Sequence, residues 1–180
     1  MTVAERLDPA RTVLVVVDVQ EAFRPAIDRF DDVVAATATL IQGAQAVGTP
    51  VIVTEQYPQG LGDTVPELLG HLSGIARLPK TAFAASRAEG FELGARDQVL
   101  LCGIEAHVCV SQTALDLLAH GTAVHVVADA VSSRTAQNRE LGLRRVQAAG
   151  ATITSVEMAL FELVGAAGSE GFKMIQRLVK

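Results

Sequence analysis

The chain has 180 residues, carries a net charge of −5, and is 49% hydrophobic. This length fits one domain, residues 1–180, with a sizeable core. The acidic balance and the lack of a Lys/Arg cluster argue against nucleic acid or an anionic membrane surface as a partner. Apolar runs fall short of the roughly 18 residues that a membrane span needs, and the N-terminal MTVAERLDPAR lacks the apolar segment of a secretory signal.

Apolar runs alternate with helical segments along the chain. The β-branched run Thr12–Asp18 predicts a strand buried on both faces, and Asp32–Val47 predicts a helix that ends at Gly48. EQYPQGLGD is interpreted as a loop, and Thr64–Glu67 as a capping box that opens a short helix. Further strands are predicted at Pro50–Thr54, Ile75–Leu78, Gln98–Cys102, Ala123–Ala128 and Thr152–Ser155, and further helices at Val110–His120, Asn138–Ala149, Met158–Val164 and Phe172–Val179.

Strands that alternate with helices predict βαβ units, a mostly parallel sheet and helices on both of its faces. In such sheets a ligand binds beyond the carboxyl ends of the strands, at the point where the strand order reverses. Asp18 follows the first strand, Lys80 the third, and Cys109 lies beyond the fourth. A carboxylate, an ammonium and a thiol at strand ends are together more informative than any one of them.

Cys109 lies near the start of a predicted helix, where outward-facing N–H groups stabilise a thiolate. We therefore expect its pKa to fall below the usual value of about 8.5, with further help from Lys80. Asp18 is placed to accept the thiol proton and to return it to a leaving amine. Taken alone, Cys109 is better explained as a buried core residue, and Asp18 and Lys80 reverse that preference.

Several other side chains are candidates for a substrate pocket: Gln20, Phe23, Tyr57, Phe83 and His107. Phe23 is equally well explained as a core residue, and Arg87 either meets a substrate carboxylate or is solvated. Cys102, inside the run VLLCG, is predicted to be a core residue. The chain has only two cysteines and no disulfide framework, so we expect a reducing, cytoplasmic setting.

The motifs VVDVQEAF, LPKTAF, GIEAHVCVSQTALDLLAHG and VHVVADAVSSR resemble the isochorismatase-like cysteine hydrolase superfamily, from about Thr12 to the C-terminus. VTEQYPQGLGDTVPEL and GIEAHVCV are most similar to its isochorismatase domain-containing proteins. The resemblance implies an α/β fold of three layers, with a six-stranded parallel sheet of Rossmann-like order, over residues 1–180.

The same resemblance implies the site residues. It assigns an Asp–Lys–Cys triad to Asp18, Lys80 and Cys109. It also implies a cis peptide bond at Ile104–Glu105, which aims the N–H of Glu105, together with that of Cys109, at a developing oxyanion. Nicotinamidase members bind a metal through histidines after the second strand, but the corresponding segment here, TEQYPQGLG, has no His. We therefore expect no catalytic metal and no cofactor.

True isochorismatases lack the nucleophilic cysteine, so its presence favours cleavage of a C–N bond. The prediction is a metal-free cysteine hydrolase that cleaves an amide or carbamoyl-type bond of a small molecule through a thioester. One alternative is a non-catalytic binding or scaffolding protein that retains the fold. Another is a thiol redox sensor that pairs Cys109 with Cys102. A homo-oligomer, either a dimer or a tetramer, is expected from the resemblance and the apolar composition.

Overall fold

The computed structural model describes residues 6–180, so the first half of the segment MTVAERLDPAR, on which the expectation about a secretory signal rests, lies outside the described residues. The described strands are β1 (Thr12–Val17), β2 (Val51–Gln56), β3 (Arg77–Lys80), β4 (Gln98–Ile104), β5 (Ala123–Ser132) and β6 (Thr152–Thr154). The described helices are α1 (Phe30–Ala46), α2 (Pro58–Leu61), α3 (Pro66–Leu69), α4 (Ser111–Ala119), α5 (Ala136–Ala148), α6 (Val156–Val164) and α7 (Phe172–Leu178).

The six strands form one sheet in the order β3-β2-β1-β4-β5-β6, and every neighbouring pair is parallel. This order confirms the expected six-stranded, Rossmann-like sheet. The chain leaves β1 toward β2 and β3, and later returns to the other side of β1 with β4. The strand order therefore reverses between β1 and β4, and a crevice opens at their carboxyl ends.

Both faces of the sheet are covered, which explains why β1 is apolar without alternation. Leu14 and Val16 face one core, which they share with α1, α6 and α7. Val13, Val15 and Val17 face a second core on the side of α4 and α5. All six residues of β1 are buried, so the strand that leads into the crevice is fixed from both sides.

Most element boundaries lie within a few residues of the expected ones, and two differences affect the site. Strand β3 covers Arg77–Lys80 and not Ile75–Leu78, so Lys80 belongs to the strand itself. Residues 106–110 form a π-helical turn ahead of α4. No helix within residues 6–180 is long and apolar enough to cross a bilayer.

The expected capping box at Thr64–Glu67 is wrong. Helix α3 begins at Pro66, and no side chain caps it. The N–H and the hydroxyl of Thr64 both donate to the carboxylate of Glu55, each at 2.7 Å. Glu55 is buried, and an unpaired buried carboxylate is costly, so Thr64 serves as its donor and does not cap the helix. EQYPQGLGD is also not all loop, because β2 runs to Gln56 and α2 follows it.

Candidate active site

A buried ion pair joins the ends of β1 and β3. The Nζ of Lys80 lies 2.6 Å from Oδ2 of Asp18, and both side chains are 1% exposed. Oδ1 of Asp18 accepts a hydrogen bond from the hydroxyl of Thr54 at 2.7 Å. Lys80 also donates to Oε1 of Gln56 at 2.6 Å and to two main-chain carbonyls. The buried charges are thus paired and hydrogen-bonded, which is the condition under which such a pair persists inside a protein.

The backbone of Asp18 turns sharply where β1 ends. Its φ of 54° is in the left-handed region, which Asp tolerates better than most residues. The N–H of Asp18 still continues the sheet by donating to Thr54, and its carbonyl accepts from the N–H of Gln20. The turn therefore sets the carboxylate at the carboxyl edge of the sheet, next to the end of β3.

Cys109 lies in the π-helical turn that joins β4 to α4. The carbonyl of Cys109 accepts from the hydroxyl of Thr113 at 2.6 Å, and that hydroxyl accepts from the N–H of Ala85 at 2.7 Å. Gly142 of α5 packs directly on the turn, because a Cβ at this position would lie 2.6 Å from the carbonyl oxygen of Ala106. The turn is thus held by α4 and α5, which lie far apart from β1 in sequence.

Cys109 is 7% exposed, and its thiol points toward the ion pair. Its Sγ lies 4.0 Å from Oε1 of Gln56, and it is close enough to Asp18 for each group to affect the pKa of the other. Asp18, Lys80 and Cys109 are therefore brought together, although they are separated by 62 and 29 positions in the chain.

The expected lowering of the Cys109 pKa is wrong. Burial first, and then the negative charge of Asp18, raise this pKa to about 12, although the charge of Lys80 opposes both. Burial also raises the pKa of Asp18 above its usual range, against the opposing charge of Lys80. The effect of desolvation on this pKa outweighs that of the helix terminus, because a thiolate at this buried position would have almost no contact with water. The resting group is a neutral thiol beside a carboxyl of raised basicity.

A cavity of about 430 Å³ opens beside Cys109. Its wall is mainly apolar and consists of Phe23, Gln56, Tyr57, Leu61, Thr81, Phe83, Ile104, Glu105, Val108 and Cys109. Three residues expected in the pocket, Phe23, Tyr57 and Phe83, lie in this wall. Gln56, Leu61, Thr81 and Val108 had no sequence signal of their own, apart from their closeness to the strand ends.

Two other expected pocket residues lie elsewhere. Gln20 is fully buried, and its amide binds the main chain of Gln56 and Gly62, so it fastens the segment after β2 and does not face the cavity. His107 is outside the cavity wall, with its Nδ1 at 3.0 Å from the hydroxyl of Ser133. Arg87 pairs with Asp116, with 2.9 Å between Nε and Oδ2, and does not line the cavity.

The Ile104–Glu105 peptide bond is cis. The Glu105 carboxylate accepts from both the N–H and the Nε of Arg134, each at 3.0 Å. Within residues 6–180, no main-chain carbonyl accepts from the N–H of Glu105. In the same range, no group of three His, Cys, Asp or Glu side chains is arranged to bind a metal ion.

Comparison with known proteins places the chain in a family. The Isochorismatase domain model matches residues 12–158, most of the chain. The chain belongs to the isochorismatase family. Isochorismatase domain-containing protein 1 of Salmo salar is 46% identical over all of this chain, and the chain spans 65% of that relative's length. The secreted isochorismatase effector Isc1 of Phytophthora sojae is 44% identical over 97% of this chain and 87% of its own.

Solved structures agree with the fold. The MAR1 ribonuclease of Caenorhabditis elegans superposes with a TM-score of 0.89 at 40% identity, over 97% of this chain and 92% of its own. YcaC from Pseudomonas aeruginosa, described with hexane-2,5-diol and covalent acrylamide, has a TM-score of 0.89 at 25% identity, over 99% and 93%. The Escherichia coli YcaC gene product, described as an octameric hydrolase of unknown specificity, has a TM-score of 0.82 at 24% identity, over 92% and 85%.

Proposed function

We propose that the protein is a cysteine hydrolase that cleaves the C–N bond of a small amide or carbamoyl compound through a thioester. The observation that carries this proposal is the buried Lys80–Asp18 pair beside the Cys109 thiol, at the wall of an apolar cavity. A core cysteine needs no buried base beside it. Burying two charges to stabilise the fold alone is inefficient, since apolar residues of similar volume do so at least as well.

The proposed reaction begins with proton transfer from the Cys109 thiol to Asp18. Asp18 accepts the proton of the Cys109 thiol as sulfur attacks the carbonyl carbon, and a C–S bond forms. The C–N bond then breaks, and the amine leaves with the proton from Asp18. Water next attacks the thioester and gives a proton to Asp18. The C–S bond breaks, the acid leaves, and Cys109 regains its proton.

Lys80 keeps Asp18 oriented and balances the negative charge that moves between carboxylate and sulfur. The raised pKa of Asp18 makes it a better base for a thiol whose own pKa is about 12. In this proposal the N–H groups of Glu105 and Cys109 bind the oxyanion. Support comes from Glu105, which lines the cavity and whose N–H is not used by a described main-chain carbonyl.

Other functions account for less of the site. A non-catalytic binding protein needs the cavity but not the buried acid–base pair. A redox sensor needs a resolving thiol, and Cys102 is fully buried inside β4. The Caenorhabditis elegans neighbour is named a ribonuclease, so RNA is the alternative substrate to test. A chain with a net charge of −5 is poorly suited to binding it.

We also propose a homo-oligomer in a reducing compartment, the cytoplasm. Exposed apolar side chains on three helices, Leu141, Met158, Phe161 and Met174, offer surface for contact between copies. An octamer is described for the Escherichia coli YcaC product. The location is supported by Cys102 and Cys109, which are both free thiols. Light scattering of the purified chain tests the assembly, and a monomer contradicts it.

The decisive experiment compares Cys109→Ala with Cys102→Ala on a panel of small amides, ureides and carbamates, with a short RNA as a separate arm. Ammonia or amine release is measured, and intact mass is followed for an acyl adduct. We expect turnover and the adduct in the wild type and in Cys102→Ala, and neither in Cys109→Ala. Full turnover in Cys109→Ala, or RNA cleavage that does not depend on Cys109, would refute the proposal.

A further inference from the structure

The cavity wall also limits the charge of what can bind. We infer that the substrate of this site carries an uncharged, apolar acyl group, and that Leu61, Phe23 and Phe83 select it; this inference rests on the proposed hydrolase function. On this inference, the site accepts amides with an apolar acyl group and rejects amides with an anionic one.

Among residues 6–180, the cavity wall contains no Lys, Arg or His. Lys80 lies just behind the wall, but its Nζ is already within 3.2 Å of Asp18, Gln56 and two main-chain carbonyls. Its side chain is 1% exposed, so it has neither a free hydrogen nor an open path to a second anion. In the described part of the chain, the cavity wall thus offers no cation to a substrate carboxylate or phosphate.

The charged groups around the rim of the cavity also disfavour an anionic substrate. Glu105 lines the cavity, and its carboxylate accepts from the main-chain N–H and the guanidinium Nε of Arg134, with which it forms an ion pair. Glu105 and Asp18 are each already paired with a cation, so neither pair offers an uncompensated positive charge to a substrate anion. An anion moved from water into such a site loses its hydration without gaining a partner, which is strongly unfavourable.

Apolar side chains occupy the positions that would contact an acyl group. Phe23 is partly buried against the first core, and Leu61 of α2 approaches from the segment after β2. Phe83 and Tyr57 are each 52% exposed, with large faces free at the mouth of the cavity. The volume of about 430 Å³ is in the range of small-molecule sites and fits a branched or aromatic acyl group.

The first test needs no known substrate. Cys109 is alkylated with iodoacetamide and with iodoacetate, which differ mainly in charge, and each rate is divided by that of N-acetylcysteine methyl ester. We expect the normalised rate with iodoacetamide to be at least about tenfold higher than the normalised rate with iodoacetate. Peptide mapping assigns the adduct to Cys109. A normalised ratio near or below unity overturns the inference.

A matched pair of variants separates the effect of the wall from that of Asp18, which is present in all proteins compared. Leu61→Arg adds a cation inside the cavity, and Leu69→Arg adds the same charge at an exposed position of α3 outside it. We expect Leu61→Arg to lower the ratio at least about tenfold and Leu69→Arg to leave it within about twofold. Equal changes in both variants refute a role for the wall. If Leu61→Arg does not unfold cooperatively, Phe83→Arg at the exposed rim replaces it.

The second test uses turnover of 3-methylbutanamide and of succinamate, which are similar in size. We expect kcat/KM to favour the neutral amide by at least about tenfold in the wild type, and Leu61→Arg to reverse the order. Cys109-dependent turnover that favours succinamate overturns the inference and leaves the hydrolase proposal standing. Charge-selective alkylation with no turnover of any amide refutes the hydrolase and retains the selectivity of the cavity.

Discussion

The side-chain amide of Gln20 clamps the main chain of Gln56 through two hydrogen bonds. Oε1 of Gln20 accepts from the N–H of Gln56 at 2.7 Å, and its Nε2 donates to the carbonyl of Gln56 at 3.0 Å. The same Nε2 lies 2.7 Å from the carbonyl of Gly62. Gln56, held in this way, turns its own side chain to Lys80 and to the cavity. Gln20 therefore fixes the backbone of Gln56, and the Gln56 side chain contacts Lys80 and the cavity.

Replacement of Gln20 by Ala leaves the N–H and carbonyl of Gln56 without partners in a buried region. We expect a loss of about 1–3 kcal/mol in the free energy of unfolding, measured with urea. Gln45→Ala is the control, because that exposed side chain makes one hydrogen bond, to the carbonyl of His71. Equal losses of unfolding free energy in the two variants would show that the hydrogen bonds of Gln20 stabilise the fold no more than an exposed one does.

Gln56 is a positioning residue for Lys80. In Gln56→Leu the ammonium loses the acceptor at 2.6 Å, and the charge-assisted bond is replaced by an apolar contact. We expect kcat to fall about tenfold to a hundredfold, with a smaller change in KM. The acid limb of the pH profile should also move, because Lys80 is held less firmly against Asp18. A Gln56→Leu enzyme with an unchanged limb and unchanged kcat contradicts this role.

The pH profile reports the ionisation of Asp18. In the proposed mechanism only the Asp18 carboxylate can take the Cys109 proton, so we expect activity to be lost as the pH falls through the Asp18 pKa. Burial raises that pKa, and the acid limb of kcat/KM should therefore lie above 3.8, the usual value for Asp. Asp97→Asn, at an exposed carboxylate, should keep the same limb. An acid limb at or below 3.8 in the wild type argues against Asp18 as the base.

The same burial predicts the state of the thiol. With a Cys109 pKa of about 12, no thiolate should form on its own at neutral pH. Ultraviolet titration of the thiolate in the Cys102→Ala protein measures this directly. A transition near the usual thiol value of about 8.5 would contradict the dominance of burial.

The close packing of Gly142 in α5 supports the π-helical turn that carries Cys109. A Cβ there would lie 2.6 Å from the carbonyl oxygen of Ala106 and 2.8 Å from the nitrogen of His107, so the turn or α5 must shift. We expect Gly142→Ala to cost about 1–3 kcal/mol of stability and to lower kcat. Gly70→Ala is the control, since its φ is −62° and its Cβ meets nothing within 4 Å. Equal kcat in the two variants would show that the turn does not depend on α5.

Much of this arrangement was readable from the chain. The unbroken apolar run of β1 predicts a strand covered on both sides, and the alternation with helices predicts a parallel sheet. Parallel strands place their carboxyl ends at one edge, so residues after different strands become neighbours. That rule predicts that Asp18 and Lys80 are neighbours, and in the structure Nζ of Lys80 lies 2.6 Å from Oδ2 of Asp18.

The order of the elements, and the edge of the sheet at which the polar groups meet, could be predicted from the residues because both depend on periodicity and chain direction. Other features of the site arise only when distant segments pack together. This packing set Gln20 in the backbone clamp and Gln56 at the cavity, and it raised the pKa of Cys109 where the helix start alone predicted a fall. Both outcomes depend on desolvation and packing by distant segments, which no local pattern of residues records.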